Sequence, residues 1–216
     1  MARVISVCLP LWPIDRLRRQ DDTPSADAPL ILSGRVGSRR LVTAACDGAM
    51  ALGLRPGMPV AKAQAMVPDL RVQPADPAAD LAALERLALW LMQRFAPIVA
   101  VDPPDGVVID ATGTDHLHGG EAAMLDAILG RLTLSGVTAR LAMADSWGAA
   151  HALARHGDSP AIVPPGGAAA ALAPLPLQAL RLPDAALSGL RDLGVASIGE
   201  LAAMPRAPLT RRFGPQ

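Results

Sequence analysis

The chain has 216 residues, 51% of them apolar, and its 20 basic and 20 acidic side chains cancel. That length and apolar share suit one or two globular domains with a real core and exclude a disordered chain. Zero net charge excludes an overall field that draws the chain to nucleic acid, and two cysteines, Cys8 and Cys46, are too few for a disulfide framework.

Charge is nevertheless uneven. Residues 75–126 hold nine acids against Arg86 and Arg94. Two early segments are basic, with Arg3, Arg16, Arg18 and Arg19 against Asp15, then Arg35, Arg39, Arg40 and Arg55 against Asp47. From Arg181 onward five arginines face three acids. Each basic cluster reads equally as solvated surface or as phosphate contact. Arginine outnumbers lysine nineteen to one, which is first a genome-composition bias. The opening MARVISVCLPLWPIDRLRRQ has a short apolar run followed by charge, with no signal-peptide pattern and no segment of transmembrane length. Without CxxC or Cys/His zinc spacing, the expectation is a soluble protein of the reduced cytoplasm.

In chain order, residues 3–9 read as a buried strand stopped by Pro10 and Pro13, and a short helix follows over 14–20. The polar stretch 20–29 reads as a loop. PLILS (29–33) and RLVTAA (40–45) pair as strands around GRVGSR, and CDGAMALG and MPVAKAQAMV are two short helices. A long helix is predicted over 77–95, with Leu81, Leu84, Leu87, Leu91 and Phe95 as its apolar stripe. PIVAVD and GVVIDAT form a hairpin around PPDG, then come a helix over 119–134, a strand over 137–144 and a helix over 147–156. PPGGAAAALAPLP (164–176) reads as a linker, and short helices follow to the end.

Strand, helix, strand, strand, helix, strand is the split βαβ, ferredoxin-like order, here with residues 20–75 inserted after the first strand. The predicted class is α/β (α+β). In such a sheet the first strand and the hairpin lie side by side, so carboxylates on them converge, as two-metal phosphoryl chemistry requires. The hairpin carries Asp105 and Asp110, while residues 3–12 carry no acid.

That order, the inserted segment, DGVVIDATG and LRDLGVASIGELAAM together resemble the Y-family, or translesion (UmuC/DinB-like), DNA polymerases. The resemblance covers essentially the whole chain and implies a palm (1–20 plus 76–163), small inserted fingers (21–75) and a helix-hairpin-helix-like thumb (164–216). It implies two aspartates at the end of the first strand, where Cys8 and Pro10 stand, with Pro13 among the aromatics that follow. It implies an adjacent Asp and Glu on the hairpin, where Asp105 is kept and Gly106 replaces the glutamate. The fingers tyrosine and arginine that meet the triphosphate fall at Asp47 and Met50, which offer repulsion and no charge-assisted bond. A lysine before the last palm helix falls near Gly148.

The closest match in pattern is the catalytically degenerate accessory branch of that family. No catalytic or nucleotide-binding residue is therefore expected, and no cofactor, with magnesium only if residual activity survives. Asp105 and Asp110 are the weak metal candidates. DNA contacts are expected from Arg211, Arg212 and Arg191 in the tail and from Arg39 and Arg40 beside the fingers hairpin. Implied partners are damaged or primer–template DNA, the replicative sliding clamp, a separate error-prone polymerase and an accessory protein, reached mostly through segments beyond residue 216. No membrane partner is expected, and the location is the cytoplasm, at the nucleoid.

Several residues have plain structural readings. Cys8 and Cys46 read as small buried residues, His116 and His118 as surface or helix-start residues, and Trp12, Trp90 and Trp147 as core. No partner is visible in sequence for His151 or His156. Two other functions stay open: a weakly active polymerase using Asp105, Asp110 and a rearranged acid such as Asp102, and a ferredoxin-like module that never touches DNA.

Overall fold

The computed structural model describes residues 2–20 and 28–214, so most of the predicted 20–29 loop lies outside the described residues. Strand β1 (Val4–Cys8) is followed by helix α1 (Trp12–Arg18), strands β2 (Leu30–Val36) and β3 (Arg39–Ala45), and helices α2 (Asp47–Ala51) and α3 (Val60–Met66). Strand β4 (Arg71–Pro74) leads to the long helix α4 (Pro77–Arg94), then to the hairpin β5 (Ile98–Asp102) and β6 (Gly106–Asp110). Helix α5 (Glu121–Leu134), strand β7 (Arg140–Ala144), helix α6 (Trp147–His156) and strand β8 (Ala161–Ile162) complete the larger unit. Helices α7 (Ala168–Leu172), α8 (Asp184–Asp192), α9 (Ile198–Ala203) and α10 (Arg206–Phe213) close the described chain.

The larger sheet has the order β5-β6-β1-β7-β8, with β1 antiparallel to both β6 and β7. Its four long strands follow the ferredoxin-like order predicted from sequence. Strand alternation sorts the two faces. Ile5, Val7, Leu9, Val107, Ile109, Leu141 and Met143 pack beneath α4 and α5. Cys8, Ala142 and Ala144 turn the other way, onto α6.

A second sheet, β3-β2-β4, carries its own core around Ile31, Leu32, Val42, Leu54 and Val60. Here β2 and β3 run further than the sequence pattern indicates and leave only Gly37 and Ser38 as the turn, with Gly37 at φ +60°. The charged residues Arg35, Arg39 and Arg40 hid this extension, because an exposed strand end needs no apolar alternation. Strand β4 went unread because it is short and ends in Pro74, yet it pairs in parallel with β2.

Three further boundaries differ from expectation for local reasons. Helix α1 starts at Trp12, with Pro13 in its first turn, where a missing N–H costs nothing. The stripe on α4 is displaced: Leu84 and Leu91 are buried, whereas Leu81 faces outward and Ala83 and Ala88 take the sheet-facing positions. The stretch 164–176 is no linker, because α7 forms within it and packs against the α6 core through Ala168, Ala171 and Leu172. Among the described residues no helix is long and apolar enough to cross a membrane.

The last helices dock on this body. The Ile198 and Gly199 N–H groups donate to the carbonyls of Leu175 and Ala173 at 2.9 and 2.8 Å. Between α8 and α9 the turn uses Gly194 at φ +77°, a conformation that favours glycine.

Candidate functional site

Register brings the predicted positions together. Cys8, the last residue of β1, pairs with Gly106, the first of β6, and Gly106 pairs in turn with Asp102 at the end of β5. The Leu9 N–H donates to the Asp105 carbonyl at 2.7 Å. Cys8, Asp102, Asp105 and Gly106 therefore meet at one end of the central strands. Asp110 does not join them. It lies at the opposite end of β6, about 13 Å from Gly106 at the rise of an extended strand, and is opposite Val4 and Ile98. There its carboxylate accepts the Thr112 N–H at 3.0 Å, and hydrogen bonding from the Thr112 side chain, then from this N–H, holds the acid below its ordinary range.

Helix α6 supplies the other half of the cluster. Ser146 caps it by accepting the Ala149 N–H, and His151 and Arg155, one turn apart, reach the strand ends. Arg155 Nη2 lies 2.8 Å from Asp105 Oδ1 and 3.5 Å from Asp102 Oδ2. His151 Nε2 lies 3.6 Å from the same Asp102 oxygen. A Cβ at position 106 would stand 2.9 Å from Arg155 Nη2 and 3.0 Å from the Asp102 carbonyl, so the bare glycine gives the guanidinium its place.

Burial controls the neutral members. It pushes the Cys8 thiol up to about 11, against the pull of Arg155, so the sulfur stays protonated at neutral pH. Burial, then the positive charges of Arg155 and Arg181, push His151 below its ordinary value, with Asp102 opposing. The imidazole is neutral at neutral pH and has no positioned thiolate to activate.

A stacked cation lies beside the cluster at the start of α6. Trp147, at the start of α6, is 41% exposed rather than core, and the Arg181 guanidinium lies over its ring at 4.2 Å. Arg181 holds a left-handed backbone at φ 54°, rare for a residue with a side chain, and its Nη2 lies 4.0 Å from where a Gly148 Cβ would be. A cation from the far side of the chain thus stands beside the position where the resemblance implies a lysine.

Other expected sites are placed as follows. In the smaller unit Asp47 is exposed at the start of α2, while Met50 leans on the core, and its carbonyl accepts from Arg55. Cys46 is structural: its sulfur accepts the Leu30 and Ala49 N–H groups at 3.2 and 3.4 Å and so caps α2. Arg39 and Arg40 are exposed on β3, with Arg40 donating to Ser33 at 3.0 Å. Arg191, Arg211 and Arg212 are exposed on α8 and α10. The Ala196 N–H of the α8–α9 turn is not presented to a phosphate, because Glu200 accepts it at 2.7 Å, while the Ser197 hydroxyl caps α9 by accepting the Glu200 N–H at 3.2 Å. His118 bonds the Phe95 carbonyl at 3.0 Å, Trp12 donates to the Asp80 carbonyl at 2.9 Å, and Trp90 stacks with Phe95 and Arg94.

The residues present do not fit a two-metal centre. Magnesium at such a site takes several oxygens from converging carboxylates. At these strand ends a thiol faces a glycine, and the acids nearby, Asp102 and Asp105, already share a guanidinium. Among the described residues no group of three or more His, Cys, Asp or Glu side chains is arranged to hold a metal ion. Sequence reasoning missed His151 and Arg155. Their four-residue spacing on a helix was visible, but nothing in sequence aims that face at residues 102–106.

A family model described as the impB/mucB/samB family matches residues 17–155, from α1 to the end of the cluster. The chain belongs to that family. It is 55% identical over 163 residues to the protein ImuB of Caulobacter vibrioides, an alignment covering 76% of this chain and 35% of that protein. It is 29% identical over 192 residues to DNA polymerase IV of Dehalococcoides mccartyi, covering 87% of this chain and 49% of the polymerase. The chain therefore spans between a third and a half of these relatives. Among solved structures, a post-insertion binary complex of Dbh DNA polymerase matches with a TM-score of 0.77 at 20% identity, over 98% of this chain and 63% of that one. DinB from Sulfolobus solfataricus matches with a TM-score of 0.74 at 19% identity, with the same coverage. The impB/mucB/samB chain thus has the fold of the Y-family polymerase core, with sequence closer to ImuB than to the polymerases.

Proposed function

We propose that this chain is a non-catalytic Y-family module that serves in the DNA-damage response as a DNA- and partner-binding scaffold. One observation carries the loss of catalysis: the Arg155 guanidinium sits between Asp102 and Asp105 against Gly106, where a polymerase would need a further carboxylate and a metal ion. Cys8 across the strand pair removes another acid, and Asp47 and Met50 favour no triphosphate. The 55% identity to ImuB supports the accessory reading.

On this reading residues 1–20 and 76–163 act as palm, 21–75 as fingers and 164–216 as thumb. The palm and thumb engage primer–template DNA, with Arg211 and Arg212 on phosphates. The sliding clamp, a separate error-prone polymerase and an accessory protein are met largely through sequence outside this chain. The location is cytoplasmic, at the nucleoid, and no cofactor is used.

The test is primer extension by highly purified protein with magnesium or manganese, beside DNA binding measured across a salt series. Salt-dependent binding with no incorporation is expected. Template-dependent incorporation overturns the proposal, and salt-independent or absent DNA binding favours a module without a DNA role. The weakly active polymerase is the less favoured reading, because Asp102, its rearranged acid, already faces the Arg155 guanidinium at 3.5 Å.

A further inference from the structure

The face of the larger sheet opposite Cys8 and Gly106 carries a groove of about 630 Å³ between α1, α4 and the end of α5. Its volume lies within the range of small-molecule and side-chain pockets. Alanines make the room: Ala79, Ala82 and Ala83 of α4 line it, beside the rings of Trp12 and Trp90.

The remaining chemistry is positive. Arg16 of α1, Arg19 just after it, Arg86 of α4 and Arg131 of α5 line the same groove, and among the described residues no carboxylate lines it. Arg16 is matched by Asp80 at 2.5 Å. Arg19, Arg86 and Arg131 are exposed and, among the described residues, belong to no ion pair. Arg94, over the Trp90 ring at 5.4 Å, adds a further cation at that edge. In a chain of zero net charge, and beside a segment with nine acids and only Arg86 and Arg94 as bases, this concentration is a local reversal of sign.

We infer that this groove docks an acidic segment of a partner protein, anchored by a large apolar side chain. The anchor fills the space left by the alanines, and flanking carboxylates pair with Arg19, Arg86 and Arg131, whose planar donors suit two-pronged bonding. A nucleic-acid track fits less well. The strand-end cluster looks out from the opposite face of the sheet, and a groove whose floor is alanine between two tryptophan rings accepts an apolar side chain better than a run of phosphates.

The test uses the full 216-residue chain. Fluorescence anisotropy is read with three labelled probes: a short peptide mixing Asp and Glu with Leu and Phe, the same peptide with Lys for every acid, and oligothymidylate. Two variants accompany the wild type, Arg86→Glu with Arg131→Glu, and Ala82→Trp, each checked for an unchanged melting profile. Ala79→Leu, which lines the groove from a half-buried position, replaces Ala82→Trp if that variant melts early.

The wild type is expected to bind the acidic peptide and not the lysine peptide. Charge reversal is expected to weaken acidic-peptide binding by at least about tenfold and to admit the lysine peptide. Filling the groove is expected to weaken binding without that switch. No binding of the acidic peptide, equal binding of both peptides, or indifference to charge reversal overturns the inference. Oligothymidylate binding that charge reversal abolishes overturns it too, and assigns the groove to nucleic acid.

Discussion

Arg155 and Asp105 are 50 residues apart in sequence, and Nη2 of the arginine stands 2.8 Å from Oδ1 of the aspartate. The pair lies at the strand ends beside Cys8 and Gly106, so a fixed side chain supplies the positive charge between Asp102 and Asp105. The arginine side chain is 16% exposed and the aspartate 33%, so solvent weakens the pair without removing it. Arg155→Met, which keeps the apolar stem, is expected to lower stability by about 1–3 kcal/mol in urea unfolding, because Asp102 and Asp105 lose their partner together. An unchanged midpoint contradicts this account of the cluster.

Restoring acids alone is not expected to restore a metal site. In the double variant Cys8→Asp, Gly106→Glu, the new side chain at 106 meets Arg155 Nη2 at 2.9 Å from its Cβ. Manganese titration followed by electron paramagnetic resonance is expected to show binding only when Arg155→Ala is added. Tight binding by the double variant shows that the arginine yields freely and does not block the site.

Cys8 is expected to resist alkylation. Its thiol is raised from 9.0 to about 11, which lowers the thiolate fraction near neutral pH by about 100-fold. With iodoacetamide at mildly alkaline pH, mass spectrometry of the native protein is expected to find Cys8 unmodified, and of the urea-unfolded protein to find it labelled. Rapid native labelling means that the thiol is not held in this buried, protonated state.

Acid is expected to destabilise the fold near the histidine range. His151 and His156 are both held below the ordinary value of 6.5, chiefly by burial. The unfolded chain then binds protons that the folded chain refuses, so stability is full above pH 6.5 and falls as pH drops through the depressed folded values. Urea midpoints measured from pH 7.5 downward are expected to decline, and His151→Gln to flatten part of the decline. A midpoint that rises on acidification reverses the sign and refutes the assignment.

DNA affinity is expected to depend on the exposed end of α10. Arg211→Ala with Arg212→Ala is expected to weaken binding similarly across sequences and to reduce the salt slope by about 1–2. Arg191→Ala is expected to have a smaller effect, because the neighbouring Ala196 amide is already bonded to Glu200. Affinity unchanged by the double substitution places the phosphate contacts elsewhere.

Much of the fold was legible because its signals are local. The alternation of residues 3–9 and 106–110, the turn PPDG, and the periodicity of residues 77–94 each specify an element without reference to any other. The displaced α4 stripe and the helix within 164–176 were misread for a shared reason. Alanine packs tightly against a sheet yet carries little hydropathy signal, so Ala83, Ala88, Ala168 and Ala171 looked neutral in sequence and are packing residues in the fold.

The sequence by itself determined which side chains stand at the ends of β1 and β6. Cys8 and Gly106 are not carboxylates in any fold, and strand order alone brings them to one strand end. Only the tertiary structure decided what gathers beside them. Whether His151 and Arg155 face the strand ends, and whether Arg19, Arg86 and Arg131 gather on one groove, depends on how helices distant in sequence lie across a sheet. That geometry is set by side-chain packing over the whole core, to which no local pattern of residues gives access.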